Sequence, residues 1–271
     1  MQVEEKQQTV LYEVSDRVAW IRLNRPDRMN AIDTELRGEL SAALKRAERD
    51  SDARCVVITG SGRAFSAGAD VREFGEAVKT QFGQADASEA VGAMLREQYM
   101  PLILRLRTMH KPVIAAVNGV AAGIGASIAM ACDIRLAAPE ASFVEAFVLI
   151  ALAPDGGASW LLPRLVGTGK ALEMLMTGAP LSAQEAERFG LVNRVVPANE
   201  LESATRELAA RLAAGPQKVI AAAKRAVNRA LDSTLEEAME FESYLQEAQA
   251  AGRDFKEGAT AFLEKRPANF E

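Results

Sequence analysis

Short apolar runs alternate with segments of helical periodicity in this chain, and the alternation is the feature that most restricts its fold. The runs CVVITG at 55–60, VIAAV at 113–117 and IRLAA at 134–138 consist mainly of β-branched and small apolar residues. Strands of this composition are typical of sheets that are covered on both faces. Because helical patterns occupy the intervening segments, the sequence predicts an α/β fold.

The two ends of the chain extend the pattern differently. TVLYEV and RVAWIRL predict an N-terminal strand pair, and leucines at every fourth residue predict a helix that Asp33 caps. The last quarter of the chain instead contains Ala-rich amphipathic helices. We therefore predict an α/β core over residues 1–200 and a helical C-terminal region over 201–271.

Two further segments carry specific predictions. The helix VGAMLREQYMPLILRLRTM is expected to bend at Pro101, because proline has no amide hydrogen to donate. The stretch before it, residues 76–89, is rich in Gly, Gln, Ala and Ser and is predicted to be a mobile segment rather than an interdomain linker.

Composition excludes several classes of function. The 271-residue chain has a net charge of −5, so it presents no overall basic field for nucleic acid, and no apolar run has the length of a membrane span. Cys55 and Cys132 lie in apolar runs and are interpreted as reduced core thiols, which favours a cytoplasmic setting. With His110 as the single histidine, no metal site is predicted. Chemistry is expected to depend on carboxylates, hydroxyls or backbone amides.

Two glycine turns, SAGAD at 66–70 and AAGIGAS at 121–127, each follow an apolar run, and the second opens a helix. Glycine allows positive φ and close approach of a ligand to backbone amides, and helix N-termini carry unpaired N–H groups. Neither turn is specific by itself, since such sequences also occur where helices pack tightly. Two turns that converge on one oxygen would form an oxyanion hole.

With these two turns, the chain resembles the crotonase, or enoyl-CoA hydratase/isomerase, superfamily over essentially its full length. Five ordered pieces carry the resemblance: LNRPDRMNAID, VVITGSGRAFSAGADVREF, KPVIAAVNGVAAGIGASIAMACDIRLAA, LSAQEAERFGLVNRVVP and EGATAFLEKRPANF. The resemblance implies a spiral of strand-strand-helix units and a C-terminal helical region used in trimerisation. It also implies a homotrimer or a hexamer built as a dimer of trimers. The implied substrate is an acyl-CoA thioester, with no separate cofactor because coenzyme A is part of the substrate.

The resemblance also implies roles for particular residues. The thioester oxygen would be bound by the backbone amides of Ala69 and Ile124. Coenzyme A contacts would fall on a set of loop and tail residues, the last two of which would serve a neighbouring subunit: Arg28, Ala31, Ala67, Ala69, Asp70, Val71, Arg72, Phe262 and Lys265. For Arg72 and Lys265 a solvated surface charge is an equal alternative, and Asp70 is interpreted as a loop or cap residue rather than an acid-base group.

The chain departs from the hydratases that it resembles. The two positions where those enzymes are expected to carry catalytic glutamates hold Ser127 and Phe147, and neither can act as a carboxylate base. Glu145 would share a strand face with position 147 but is out of register, so it is interpreted as a structural or loop residue. Since water addition needs one group to activate water and another to deliver a proton, the hydratase interpretation is weakened.

Asp155 remains as the candidate base, within FVEAFVLIALAPDGGASWLLPRLVG. This segment is similar to the phenylacetate-pathway isomerases of the superfamily, although Pro-Asp-Gly is also a common turn sequence. The favoured hypothesis is conversion of a 3-enoyl-CoA to the 2-enoyl-CoA, or isomerisation of a related ring-epoxide or oxepin CoA ester, with Asp155 moving the proton. The alternatives are an enoyl-CoA hydratase, a non-catalytic acyl-CoA-binding protein, and an enzyme that uses Asp155 as a nucleophile.

Overall fold

The computed structural model describes residues 8–70, 72–73 and 91–270, and the whole of the predicted mobile segment, residues 76–89, lies outside these ranges. Ten strands form two sheets: β1 Val10–Ser15, β2 Val18–Leu23, β3 Cys55–Gly60, β4 Ala64–Ser66, β5 Val113–Val117, β6 Val120–Ala122, β7 Ile134–Ala137, β8 Ser142–Val144, β9 Leu181–Ser182 and β10 Arg194–Val195. The larger sheet has the order β1-β2-β3-β5-β7-β10, and the smaller has β4-β6-β8-β9.

Helices connect and cover these strands in the described part of the chain. The ten α-helices are α1 Thr34–Arg49, α2 Met100–Thr108, α3 Ile124–Ala131, α4 Ala158–Val166, α5 Thr168–Thr177, α6 Ala183–Phe189, α7 Leu201–Ala214, α8 Gln217–Ala230, α9 Leu235–Ala250 and α10 Arg253–Glu264. Short 3₁₀ turns lie at Pro26–Arg28, Ala146–Ile150 and Ala198–Glu200.

Strand pairs followed by a helix recur through the middle of the fold. β5 and β6 precede α3, and β7 and β8 precede α4 after a 3₁₀ turn. In each pair the first strand joins the larger sheet and the second joins the smaller one. Apart from the β1–β2 and β8–β9 pairs, the ladders are parallel. The predicted α/β architecture of strand-strand-helix units is confirmed.

The larger sheet is buried on both faces. Along β3, Val56 and Ile58 belong to one apolar cluster, whereas Cys55 and Val57 belong to the other. This division explains why the strand reads as a continuous apolar run, because successive side chains point to opposite faces. Burial raises the pKa of both free thiols, Cys55 and Cys132, to about 12, in keeping with their interpretation as core residues.

Helices α1 and α7 cover opposite faces of that sheet. The leucines of α1, at 36, 40 and 44, are fully buried in the first cluster, and the Asp33 carboxylate accepts a hydrogen bond from the Leu36 amide at 2.8 Å. This is the predicted helix with its predicted cap. On α7, Leu201, Ala209 and Ala213 pack in the second cluster.

The remaining C-terminal helices follow α7. Helix α8 is joined to the core by an ion pair between the Lys224 ammonium and the Asp133 carboxylate at 2.8 Å. It packs on α9, which in turn packs on α10. Apolar side chains on α9 and α10 remain exposed, including Leu235 at 78% and Phe262 at 84%. The predicted C-terminal helical region is present, while the division of the chain at residue 200 stays a prediction.

One local prediction needs revision. Residues 120–122 were expected to begin a turn but form strand β6, which pairs with both β4 and β8. Before Pro101 the chain forms a π-helix at Leu95–Tyr99, and α2 begins at Met100 with the proline in its first turn. The wider turns of a π-helix thus directly precede the proline, and the predicted bend at Pro101 stays a prediction. Across the described ranges, no helix combines the length and the apolarity that a membrane crossing requires.

Candidate active site

The two glycine turns, which are about 55 residues apart in sequence, lie in direct backbone contact. A Cβ atom added to Gly68 would stand 2.7 Å from the Ala122 carbonyl oxygen, and one added to Gly125 would stand 2.8 Å from the Ser66 carbonyl oxygen. Gly68 also has a φ of +88°, which side chains rarely allow. Glycine is thus required on both sides of the contact.

The proposed oxyanion donors occupy these turns. The Ile32 amide donates to the Gly68 carbonyl at 2.7 Å and the Ile32 carbonyl accepts from the Asp70 amide at 3.0 Å, so Ala69 forms a parallel bridge with Ile32. In such a bridge the N–H of Ala69, which lies between the two hydrogen-bonded residues, points away from Ile32. Ile124 is the first residue of α3, where amides have no intrahelical acceptor. It stays a prediction that the Ala69 and Ile124 amides bind one oxygen together.

Asp155 lies in a turn that packs against the start of α3. Its carbonyl accepts from the Ala158 amide at 3.0 Å and from the Ser127 hydroxyl at 3.4 Å. The next residue, Gly156, has a φ of +58°, and an added Cβ would stand 2.6 Å from the Ile124 side chain. The turn interpretation and the active-site interpretation of Asp155 are therefore compatible, because its backbone makes the turn while its carboxyl group remains available.

The carboxyl group of Asp155 is half-buried and weakly solvated. Within the described residues its Oδ1 atom is buried without a hydrogen-bond partner. Burial raises the pKa of Asp155 to about 6. A carboxylate with this pKa is ionised at neutral pH and is more basic than an exposed aspartate, which is the combination that a general base needs.

A cavity of about 650 Å³ opens beside Asp155. Its walls are mainly apolar and come from the π-helix, α2 and α4: Leu95, Tyr99, Met100, Ile103, Leu104, Trp160 and Leu161. Polar groups on α2 and α8 also line it, where Arg107 donates a hydrogen bond to the Asn228 side chain. This volume is in the range of pockets that hold small organic ligands. Asp155 is the carboxylate placed next to the glycine turns on this cavity.

Ser127 and Phe147 also border the turns, as the sequence predicted, and neither supplies a carboxylate. Ser127 is fully buried on α3. The Phe147 ring lies 3.7 Å from the position of a Cβ added to Gly123. An apolar ring therefore covers the second glycine turn.

Glu145 has surroundings that the sequence did not indicate. It follows β8 directly, its side chain is 1% exposed, and neither carboxyl oxygen has a hydrogen-bond partner among the described residues. Burial, together with the charge of the nearby Asp155 carboxylate, raises the pKa of Glu145 to about 9. The available signal was a single charged residue within the apolar run FVEAFVLIALA.

The residues assigned to coenzyme A by resemblance fall mostly in two neighbouring loops. The Ala67 amide donates to the Met29 carbonyl at 2.9 Å, which joins the loop of Arg28 and Ala31 to the first glycine turn. Arg25 strengthens this junction through its ion pair with Asp70 at 3.0 Å. These loops lie on the Ala69 side of the turns.

Asp70 behaves as a loop residue. Burial acts to raise its pKa, but hydrogen bonds from the Arg72 amide and Arg25 outweigh burial and hold the pKa of Asp70 below its usual value. Arg72 itself is exposed. Val71 lies outside the described residues.

Phe262 and Lys265 lie on the exposed C-terminal helix rather than on the loops. Phe262 is 84% exposed on α10, and Lys265 ends that helix in a left-handed conformation with a φ of +53°. Helix α10 packs on α9. The predicted contribution of both residues to a neighbouring subunit stays a prediction.

Comparison with known proteins agrees with this architecture. The sequence profile described as "Enoyl-CoA hydratase/isomerase" matches residues 13–271. The chain is 42% identical over 262 residues to a Rhodobacter capsulatus protein named "Probable enoyl-CoA hydratase", covering 97% of each chain. It is 38% identical over 261 residues to the Escherichia coli 1,2-epoxyphenylacetyl-CoA isomerase, covering 96% of this chain and 97% of that protein.

A solved structure of enoyl-CoA hydratase from Bacillus anthracis superposes with a TM-score of 0.88 at 32% identity, covering 97% of this chain and 99% of that one. Fold, matched length and identity together define an α/β protein of the crotonase type. The chain belongs to the enoyl-CoA hydratase/isomerase family.

Proposed function

We propose that this protein is an enoyl-CoA isomerase that converts a 3-enoyl-CoA to the 2-enoyl-CoA, or isomerises a related ring-epoxide or oxepin CoA ester. The observation that carries the proposal is the half-buried Asp155 carboxylate beside both the glycine turns and an apolar cavity, with a pKa raised by burial to about 6. The 38% sequence identity of this chain to the E. coli 1,2-epoxyphenylacetyl-CoA isomerase adds support.

The reaction divides into two proton transfers. Asp155 takes a proton from the carbon α to the thioester, and the C–H bonding electrons move into an enolate. The amides of Ala69 and Ile124 stabilise the enolate oxygen, since N–H donors placed where negative charge develops lower the barrier. Return of a proton to the γ carbon completes the shift of the double bond.

The loops around the turns are proposed to hold coenzyme A. Main-chain groups of Arg28, Ala31 and Ala67 line the junction described above, and Arg72 offers a cation for a phosphate. Coenzyme A belongs to the substrate, so no separate cofactor is required. The exposed apolar side chains of α9 and α10 support assembly into a homotrimer or a hexamer, in which Phe262 and Lys265 would meet a neighbour.

The Asp155→Asn variant tests the proposal. Because a general base contributes about 10²- to 10⁴-fold to rate, we expect kcat with a 3-enoyl-CoA to fall by about 100-fold or more. The matched control is Asp52→Asn, which changes an exposed aspartate away from the cavity and should keep the parent rate. An Asp155→Asn rate close to the parent's would exclude Asp155 as the base.

Enoyl-CoA hydration is the second candidate, and Glu145 is the observation that favours it. Water addition needs two acid-base groups, and Glu145 with Asp155 supplies two carboxyls near the turns. Steady hydration of crotonyl-CoA by the purified protein, faster than isomerisation of 3-enoyl-CoA, would favour this function. Binding of CoA esters without turnover would instead indicate a non-catalytic acyl-CoA-binding protein.

A further inference from the structure

Glu145 is a buried acid without a described hydrogen-bond partner. Its side chain is 1% exposed and both of its carboxyl oxygens lack a hydrogen-bond partner among the described residues. Burying an isolated carboxyl group costs free energy, and the cost is smaller when the group keeps its proton. The energetic cost of retaining it suggests a use for that proton.

Backbone contacts place Glu145 and Asp155 on the same small region. The Val144 carbonyl, directly before Glu145, accepts a hydrogen bond from the Gly123 amide at 2.8 Å. Four residues after Gly123, the Ser127 hydroxyl donates to the Asp155 carbonyl at 3.4 Å. Both acids therefore flank the first turn of α3, where Ile124 begins the helix.

The charged and titratable groups around this region are few in the described part of the chain. Asp155 acts on Glu145, and the Tyr99 hydroxyl senses Asp155. Further charged groups line the cavity on the Asp155 side: Arg96, Arg107 and Asp232. Tyr99 accepts a hydrogen bond from Arg37 at 3.2 Å. Burial raises the pKa of Tyr99, so this hydroxyl stays neutral. Around neutral pH the pair of acids thus keeps one proton between them.

We propose that Glu145 is a positioning and proton-exchange partner of Asp155. This inference rests on the proposed function of the same site. Asp155 lines the cavity and takes the substrate's α proton, after which both carboxyls are protonated. In this step a side-chain shift brings the two carboxyls, unpartnered in the resting structure, into hydrogen-bond contact, and each passes its O–H proton to the other's carbonyl oxygen. Charge and atoms balance, and Asp155 then returns a proton to the γ carbon. The proton that Asp155 returns can therefore come from Glu145.

The exchange predicts a measurable loss of isotope. With a 3-enoyl-CoA deuterated at the α carbon, two protons that mix fully on the pair leave about half of the label, or less, for the γ carbon. In the Glu145→Gln variant the amide cannot exchange, so label retained at the γ carbon should rise about twofold or more. The matched control is Glu140→Gln, at an exposed site, which should retain label as the parent does. Unchanged retention in Glu145→Gln would overturn the proposal.

A pH series gives a readout that a purely structural role would not move. In the parent, retention of label should increase as the pH passes about 9 and Glu145 loses its proton. In Glu145→Gln, retention should stay constant over the same range. A parent whose retention does not change with pH would contradict the proton exchange.

Infrared difference spectroscopy separates this inference from the proposed function. At neutral pH the parent should show the C=O stretch of a protonated carboxyl, and that band should disappear above pH about 9 and in Glu145→Gln. The measurement needs no turnover. If the band is present and no 3-enoyl-CoA is isomerised, the proposed function fails while the proton-holding pair stands. If the band is absent from the parent, the pair itself is wrong.

Discussion

Two acids in this fold, the largely buried Asp133 and the fully buried Glu145, have opposite surroundings. Asp133 accepts hydrogen bonds from the Val113 amide and the Lys224 ammonium, both at 2.8 Å. Glu145 has no such partner among the described residues. Burial raises the pKa of both carboxyls, and at Asp133 the cation and the amide oppose the shift.

The difference separates structural from functional burial. A buried acid with partners joins parts of the chain, here the α3–β7 junction to helix α8. A buried acid without partners lowers stability unless it is protonated, and it gives up or accepts a proton readily because no hydrogen bond holds either state. Burial alone therefore does not identify a catalytic carboxyl. A buried carboxyl that lacks hydrogen-bond partners and lies next to a cavity is a stronger candidate.

Removing the cation from the structural pair should produce the largest effect. Lys224→Met leaves Asp133 buried without its ion-pair partner, so the free energy of unfolding should fall by about 3 kcal/mol. Chemical denaturation would measure the loss. Lys218→Met, at an exposed position on the same helix, is the control and should change stability by less than about 0.5 kcal/mol. Equal stability of the two variants would show that the Asp133 pair contributes little.

Replacing the unpartnered acid, as in Glu145→Gln, should change the free energy of unfolding in the opposite direction to Lys224→Met. The pKa of Glu145 is higher in the folded chain than in the unfolded chain, so the folded state binds the extra proton. Its contribution to stability is complete below pH about 4.5 and is lost as the pH rises toward 9.

Between pH 6 and pH 8 the parent should therefore lose about 2.7 kcal/mol of unfolding free energy that Glu145→Gln keeps. Denaturation of both proteins at several pH values checks this difference. Parallel pH profiles would mean that Glu145 is ionised in the folded state.

The pH dependence of rate offers the finest comparison of the two carboxyls in the site. Because Asp155 must be ionised to take a proton, kcat/KM should fall about tenfold for each pH unit below its pKa of about 6. The fall should persist in Glu145→Gln, because that variant retains the base. A rate that stays constant down to pH 4 would show that Asp155 titrates like an exposed aspartate.

Local patterns predicted much of the fold because they reflect local physics. Leu36, Leu40 and Leu44 lie on one face of α1 since four residues complete about one helical turn, and Asp33 caps that helix as its side-chain type suggested. The strand β6 was missed because three residues carry little periodic signal, and its pairing with β4 and β8 depends on distant segments.

The candidate site was predictable in part for the same reason. Glycine turns and a Pro-Asp-Gly sequence are local features, so the turns and Asp155 could be selected from sequence. The register of Glu145 relative to position 147 suggested a structural role, and sequence alone contains no measure of the burial that changes this interpretation.

By itself, the sequence determined the α/β class, the family resemblance and the small set of residues around which chemistry is possible. These properties follow from residue type and spacing along the chain. Only the tertiary structure decided that Gly68 touches Ala122, that Asp155 faces a cavity, and that Glu145 is buried without a described partner near it. The physical reason is that solvation and charge at a site depend on every segment that packs there, and segments distant in sequence meet only in the folded chain.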